Sequence, residues 1–460
     1  TRRTFSDPDQ AGRGFKSVKT VLLVTRVFPP TAAVGVYRVV KFCKFLPEYG
    51  WRPVVLTTTN QRELTQDQSL LHELNPELPV YRAANPRFIE RWERIRDRRP
   101  RADKGDPKEM KDGADGARAD RPSKPNWRER LLWALATPDK DVFWILPAVA
   151  AGLRVARKER INAIVTTSPP PTTHLVGACL ASLTGIPHVV DFRDLWTQGP
   201  RYHLYPRPAI ARSWDRWLER RILARAKGVS AATSTFVEQL LSNNPDLRRE
   251  RVVTILNGLD LDDFCQLAFP ACKNPQFTIL HLGSLYGLRD PSFFFAALDR
   301  FLSLRPEMRS ELVVRFIGDA GHHASRLHGT VLQEIVQFQK HRPHREVLTE
   351  LWSADLLLLI LGFTVTEAGT IPAKLFEYIA TGRPILALTP GGEAKAMIEK
   401  YGCGTVLTEP DQEAVCAALA SGVASWRARV GPPDSTLRIP AEFDRRLQAG
   451  QLAGLLDGCP

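Results

Sequence analysis

Short apolar runs alternate with stretches of helical period along the whole chain. Residues 21–25, 53–58, 163–167, 188–192 and 229–233 are mostly apolar without strict alternation, as expected for strands buried on both faces. Helical periodicity fills the intervals 37–49, 172–184 and 209–226, so this half predicts a doubly wound α/β domain on a parallel sheet. The pattern then restarts. Strands at 277–282, 313–317, 356–361, 384–388 and 405–407, with helices at 291–304 and 374–380, predict a second Rossmann-like domain. The loosely patterned stretch from Thr254 to Asn274 reads as the link, with the boundary near residue 265. The expected division is a flexible N-terminal segment 1–19, a first domain 20–265, a second domain 266–439 and a C-terminal segment 440–460. That last segment reads as one helix crossing back over the junction, with Phe443, Leu447, Leu452 and Leu455 or Leu456 on its apolar side.

Composition narrows the setting. A chain of 460 residues buries a core without disulfide staples, and seven scattered cysteines lacking any C-x-x-C pair fit a reducing cytoplasm better than a disulfide framework or zinc cage. No apolar run approaches the ~20 residues of a membrane span, and the polar amino terminus, which does not begin with Met, lacks the apolar core of a secretory signal. The net charge of +13 is concentrated: residues 86–130 hold 15 basic and 10 acidic residues, and 201–228 hold 8 and 2. Such clustering suits phosphate groups, lipid headgroups or nucleic acid, or simply a solvated surface. Neither an RNP-type aromatic motif nor a helix-turn-helix pattern is present, so no nucleic-acid partner is expected. The 96–125 stretch has almost no large apolar residues and is expected to be a mobile charged insertion. On a helix from Ala209, residues Ile210, Trp214, Trp217, Leu218 and Ile222 form a stripe flanked by Arg212, Arg216, Arg220, Arg221 and Arg225. That stripe is expected either to pack into the core or to make peripheral contact with an anionic membrane at its inner, cytoplasmic face.

Ligands of open α/β sheets bind beyond the carboxyl ends of the strands, which directs attention to the loops there. Gly35 opens the helix after the first strand and exposes amides to an anion, or serves only the turn. Asp191-Phe-Arg193-Asp194 sets two carboxylates around a guanidinium, a cluster suited either to a reacting hydroxyl or to a structural ion pair. Gly283 and Gly287 let the backbone approach a phosphate, and Arg289, just ahead of a helix, can bridge its oxygens; this is not the G-x-G-x-x-G of nicotinamide enzymes. The densest signal is Gly369-Thr370-Ile371-Pro-Ala-Lys374-Leu-Phe-Glu377, a helix start with a cation and a carboxylate on one face, as phosphate and ribose recognition requires.

Taken in order, the Phe28-Pro-Pro loop, Asn257-Gly-Leu-Asp260, Gly283 with Arg289 six residues on, and Pro372-Ala-Lys-Leu-Phe-Glu-Tyr with Gly-Arg-Pro resemble the retaining glycosyltransferases of family 4, which have the GT-B fold. The resemblance runs from about residue 20 to 456 and is nearest to bacterial enzymes of surface-polysaccharide synthesis. It implies a nucleotide-sugar donor bound by Gly35, Gly283, Arg289, Gly369, Thr370, Ile371, Lys374 and Glu377. Glu377 matches the second glutamate of the family's E-x7-E motif, on the donor ribose, while Arg289 matches the residue holding the diphosphate. Arg193 and Asp194 fall where many members carry His-Asp near the reacting centre, so the implied catalytic group is Asp194, Arg193, Arg289 and Lys374. Gly369 occupies the place of the first motif glutamate, with Glu367 two residues earlier, and Ser284 stands where Arg is frequent. The acceptor is expected to be a glycan or lipid-linked hydroxyl. No metal or other cofactor is expected, and Asp260-Leu-Asp262 is read as part of the link. The alternative on the same fold is a sugar-nucleotide 2-epimerase.

Overall fold

The computed structural model describes residues 18–31, 34–59, 66–86, 137–199, 202, 207–264, 273–285, 289–321, 323–340, 342, 344–431, 434 and 436–458. The expected flexible segment, apart from its last residues, and the 96–125 insertion lie outside them, as do Gly287 and the expected boundary at 265.

Two fully parallel sheets form the molecule. The first contains β1 (Lys19–Val24), β2 (Trp51–Thr58), β3 (Val80–Ala83), β4 (Ala163–Ser168), β5 (His188–Phe192), β6 (Gly228–Ala231) and β7 (Val252–Thr254), in the order β3-β2-β1-β4-β5-β6-β7. The second contains β8 (Phe277–Leu282), β9 (Leu312–Ile317), β10 (Val336–Gln339), β11 (Leu356–Ile360), β12 (Ile385–Leu388) and β13 (Gly404–Leu407), in the order β10-β9-β8-β11-β12-β13. Each order reverses direction once, between β1 and β4 and between β8 and β11, and these switch points open a crevice at the carboxyl ends of the strands. The central strands are buried on both faces, which is why their sequences do not alternate.

The main helices of the first half are α1 (Val34–Phe45), α2 (Ile145–Glu159), α3 (Thr172–Thr184), α4 (Ala209–Arg225) and α5 (Ser234–Asn243). Those of the second are α6 (Ser292–Leu304), α7 (His344–Ser353), α8 (Ala373–Thr381), α9 (Glu393–Lys400) and α10 (Gln412–Ala428), followed by the returning α11 (Arg445–Asp457). Each half has apolar clusters on both faces of its sheet.

The C-terminal segment corrects one expectation. It is not a single helix from residue 441: a short turn at Ala441–Phe443 ends in extended backbone at Asp444, whose side chain caps α11 by accepting from the Arg446 amide. The break lets the segment serve two cores. Phe443 is buried in the second domain, whereas Ala449, Leu452, Ala453 and Leu456 are buried in the first, and Leu447 faces solvent. The returning chain is stitched to the link, where the Leu259 amide donates to the Phe443 carbonyl at 2.7 Å and the Arg445 amide to the Leu259 carbonyl at 2.9 Å. A Cβ on Gly258 would stand 2.1 Å from that Phe443 oxygen, so the glycine is what admits the crossing strand of chain.

Candidate active site

The two carboxyl-end crevices face each other. Thr233, after β6, donates from its hydroxyl to the Gly369 carbonyl at 3.0 Å, and the Ser234 hydroxyl and Thr235 amide both donate to Glu393 at 2.7 Å. Farther along, the rings of Tyr37 on α1 and His344 on α7 lie 5.5 Å apart.

On the second domain, α8 starts behind Pro372 and projects Lys374 toward the end of β8. The Lys374 ammonium donates to the Leu282 carbonyl at 2.6 Å and to His281 Nε2 at 3.1 Å. His281 Nδ1 in turn faces the Leu358 carbonyl at 2.9 Å, so the buried imidazole is neutral with its proton on Nδ1. Burial holds His281 well below the ordinary imidazole range, and the neighbouring Lys374 adds to the effect. Burial likewise holds Lys374 well below the lysine range, with Arg289 pushing the same way and Glu377 opposing. Tyr378 completes the frame: its hydroxyl accepts from the Leu282 amide at 2.9 Å and approaches the Leu358 carbonyl at 3.3 Å. Gly283 follows with φ of +99°, a conformation that leaves the strand end open beside Lys374. A lysine and an arginine converge here, and among the described residues Lys374 has no carboxylate partner, an arrangement whose chemistry suits an anion.

Glu377 lies one turn farther along α8 and accepts from His344 Nε2 at 2.8 Å. Burial alone lowers the His344 pKa, but the Glu377 carboxylate outweighs it and lifts the imidazole above its ordinary value. A group raised on folding stabilises the fold fully below its unfolded value of ~6.5 and loses that contribution as pH rises through the folded value. The stability difference between the parent and His344→Ala is therefore expected to be largest below about pH 6.5 and to shrink at higher pH. Urea unfolding at a series of pH values checks it; a flat difference removes the charged pair.

The loop before α8 also serves packing. Gly369 is buried against α5, where a Cβ would stand 2.9 Å from the Phe236 ring, and the Thr370 amide donates to the Glu367 carbonyl at 2.9 Å. Ile371 is buried in the second core. Of the three, Gly369 packs against the first domain, and the Thr370 amide is already engaged within its own loop.

On the first domain, Gly35 makes room for Arg193: a Cβ at residue 35 would lie 1.5 Å from the guanidinium. Asp194 is half-buried beside it, and its carboxylate makes no hydrogen bond or ion pair with a described residue. Asp191 corrects the cluster read from sequence. It does not share Arg193 but is fully buried in a two-point pair with Arg38, at 2.7 and 3.0 Å. Asp260 is equally committed, accepting from Lys41 at 2.8 Å and Lys44 at 2.7 Å.

Sequence reasoning missed His281, His344, Tyr37 and Arg38. Arg38 and Lys41 did leave a signal, since both stand among buried residues of α1 where a solvated charge has no place.

The sequence model of the glycosyl transferase 4-like domain matches residues 36–258. The chain carries a domain of that family. The glycosyl transferase 4-like domain is the half that supplies Arg193 and Asp194, and the complete chain has the GT-B fold. Its structure resembles sucrose-phosphate synthase from Thermosynechococcus elongatus at 15% identity and a TM-score of 0.62, covering 95% of this chain and 98% of that one. It also resembles WaaG, a glycosyltransferase involved in lipopolysaccharide biosynthesis, at 15% identity and a TM-score of 0.52, covering 94% and 95%. A putative UDP-N-acetylglucosamine 2-epimerase from Listeria monocytogenes gives 10% identity and a TM-score of 0.52, covering 95% of each chain. No curated protein matches the sequence.

Proposed function

We propose that this glycosyltransferase moves a sugar from a nucleotide-sugar donor to an acceptor hydroxyl, with retention at the anomeric carbon, in polysaccharide or other glycan biosynthesis. The observation that carries the reading is the half-buried Lys374, without a carboxylate partner among the described residues, beside Arg289 at the end of β8 and one helical turn from Glu377. A donor diphosphate offers the anionic partner that Lys374 lacks among the described residues, and its ribose hydroxyls suit the carboxylate. As the anomeric carbon–oxygen bond breaks, charge grows on the departing phosphate, and Arg289 and Lys374 stabilise it; no metal is required for that step. Asp194 and Arg193 stand on the opposing wall, where they position the acceptor, a glycan or a lipid-linked hydroxyl.

A thermal-shift panel of nucleotide sugars tests the donor, since a ligand at 100 times its dissociation constant adds about 2.7 kcal/mol. One donor is expected to raise the melting temperature, and Glu377→Ala to abolish most of that rise relative to its own ligand-free midpoint. If no nucleotide sugar shifts the midpoint, the reading fails. The epimerase alternative shares only its fold with this chain; sugar appearing on an added acceptor supports transfer, and an epimerised donor formed without acceptor rejects it. Chelator is expected to leave the rate unchanged.

A further inference from the structure

Helix α4 is built inside out. Its buried face contains two acids: Asp215 accepts from the Tyr202 hydroxyl at 2.9 Å and Arg207 at 2.8 Å, and Glu219 accepts from the Thr197 amide at 2.9 Å and Gln198 at 3.1 Å. Its outer face contains Ile210, Trp214 and Trp217, which are 78%, 52% and 47% exposed. The stripe expected from sequence therefore splits, with Ile222 going into the core and the three outer residues into solvent. The two indoles stack on each other, ring centres 4.8 Å apart, and the Arg221 guanidinium lies over Trp217.

Around them Arg212, Arg216, Arg220, Arg221 and Arg225 are all exposed, and none forms an ion pair with a described residue. Because the helix's only acids point inward, this face is purely cationic. Burying carboxylates while leaving large indoles in water opposes what folding alone favours. We propose that the outer face of α4 is a docking surface for an anionic lipid bilayer, with Ile210, Trp214 and Trp217 entering the headgroup layer and the arginines pairing with lipid phosphates.

Each part of that surface has its counterpart in a bilayer. Indoles at the edge of apolar and wet regions suit the interface, and a ring of arginines supplies the second, electrostatic signal. A second copy of this chain fits worse, since mating two such faces would bring ten guanidiniums together around an apolar patch of three side chains per copy. Nucleic acid would use the arginines but has no use for Ile210. The position also has a consequence. As the crossover from β5 to β6, α4 begins at the carboxyl-end rim of the first sheet, so its tryptophan-bearing half stands on the same edge as Arg193 and Asp194. Docking there brings the acceptor wall of the cleft to the membrane surface.

The test is flotation of the full chain with vesicles of phosphatidylcholine, with and without phosphatidylglycerol. The parent is expected to float only with the anionic vesicles and to lose binding as salt rises. Trp214→Ser with Trp217→Ser is expected to bind ~10- to 100-fold more weakly at an unchanged melting midpoint, because neither residue is in the core. Ile210→Ser, at the opposite end of the patch, gives the same direction without touching the stacked pair. Arg216→Gln with Arg220→Gln is expected to lose about 30-fold, from ~1 kcal/mol for each charge near the surface. No flotation, parental binding by the tryptophan variant, equal binding to neutral vesicles, or a dimer that the tryptophan variant abolishes would each overturn the proposal. Nucleotide-sugar thermal shifts of the same variants should match the parent, so the docking surface and the donor site fail or stand independently.

Discussion

Arg289→Ala is expected to slow sugar transfer by ~10- to 1000-fold, and Lys374→Met by a similar factor, with far smaller changes in stability. On the proposed reading both side chains face the departing phosphate, and neither is replaced by water in a partly dry site. Lys374 makes the sharper test because its environment disfavours its own charge: burial and Arg289 both depress it. A methionine fills the same channel without that penalty and forfeits only the hydrogen bonds to Leu282 and His281, so stability should move by no more than about 1 kcal/mol. The ammonium is therefore retained against its own desolvation, as expected of a group kept for a ligand. Steady-state rates and melting curves on the same preparations separate the two quantities. Variants that keep parental turnover would move the diphosphate site elsewhere; variants that unfold in proportion to their lost activity would make Lys374 structural.

How far the sequence reaches is visible in the strands. His188–Phe192 and Phe277–Leu282 are read to the residue, and each central strand within one or two, because burial on both faces leaves a mostly apolar run without strict alternation. Val80–Ala83, Val252–Thr254 and Val336–Gln339 were not anticipated. All three are edge strands, short and partly wetted, with Arg82 and Gln337 exposed, so the run that announces a buried strand never forms. Residues of the site divide the same way. Lys374 and Glu377 are legible because helical spacing alone puts them on one face. His281 and His344 are 93 and 33 residues away from the partners they touch, and no local pattern encodes such contacts. Asp191 shows the opposite error: adjacency suggested Arg193, whereas the sheet hands its carboxylate to Arg38, 153 residues distant.

That Arg38–Asp191 pair carries the second large effect. Arg38 donates to both Asp191 oxygens and also to the Ile255 and Leu256 carbonyls, at 2.9 Å each, so one side chain ties α1, β5 and the start of the interdomain link. Thr167 and Ser230 complete the Asp191 shell at 2.8 and 2.7 Å. Arg38→Met is expected to cost ~3–5 kcal/mol, because it leaves a buried carboxylate without its cation. Burial alone would raise the Asp191 pKa, but Arg38 and these hydrogen bonds outweigh it and hold the carboxyl below its usual range. A depressed carboxyl stabilises the fold above its unfolded value of ~3.9, and that contribution is lost as pH falls through the folded value. Without Arg38 the carboxyl escapes its penalty by taking a proton, so the loss measured by urea unfolding should be greatest near neutrality and diminish in acid. Adding Asp191→Asn to Arg38→Met should recover part of it, since the amide has no charge to strand. A pH-independent loss, or a double variant as weak as the sum of the singles, would mean that Arg38 acts by packing and by its carbonyl bonds rather than by its charge.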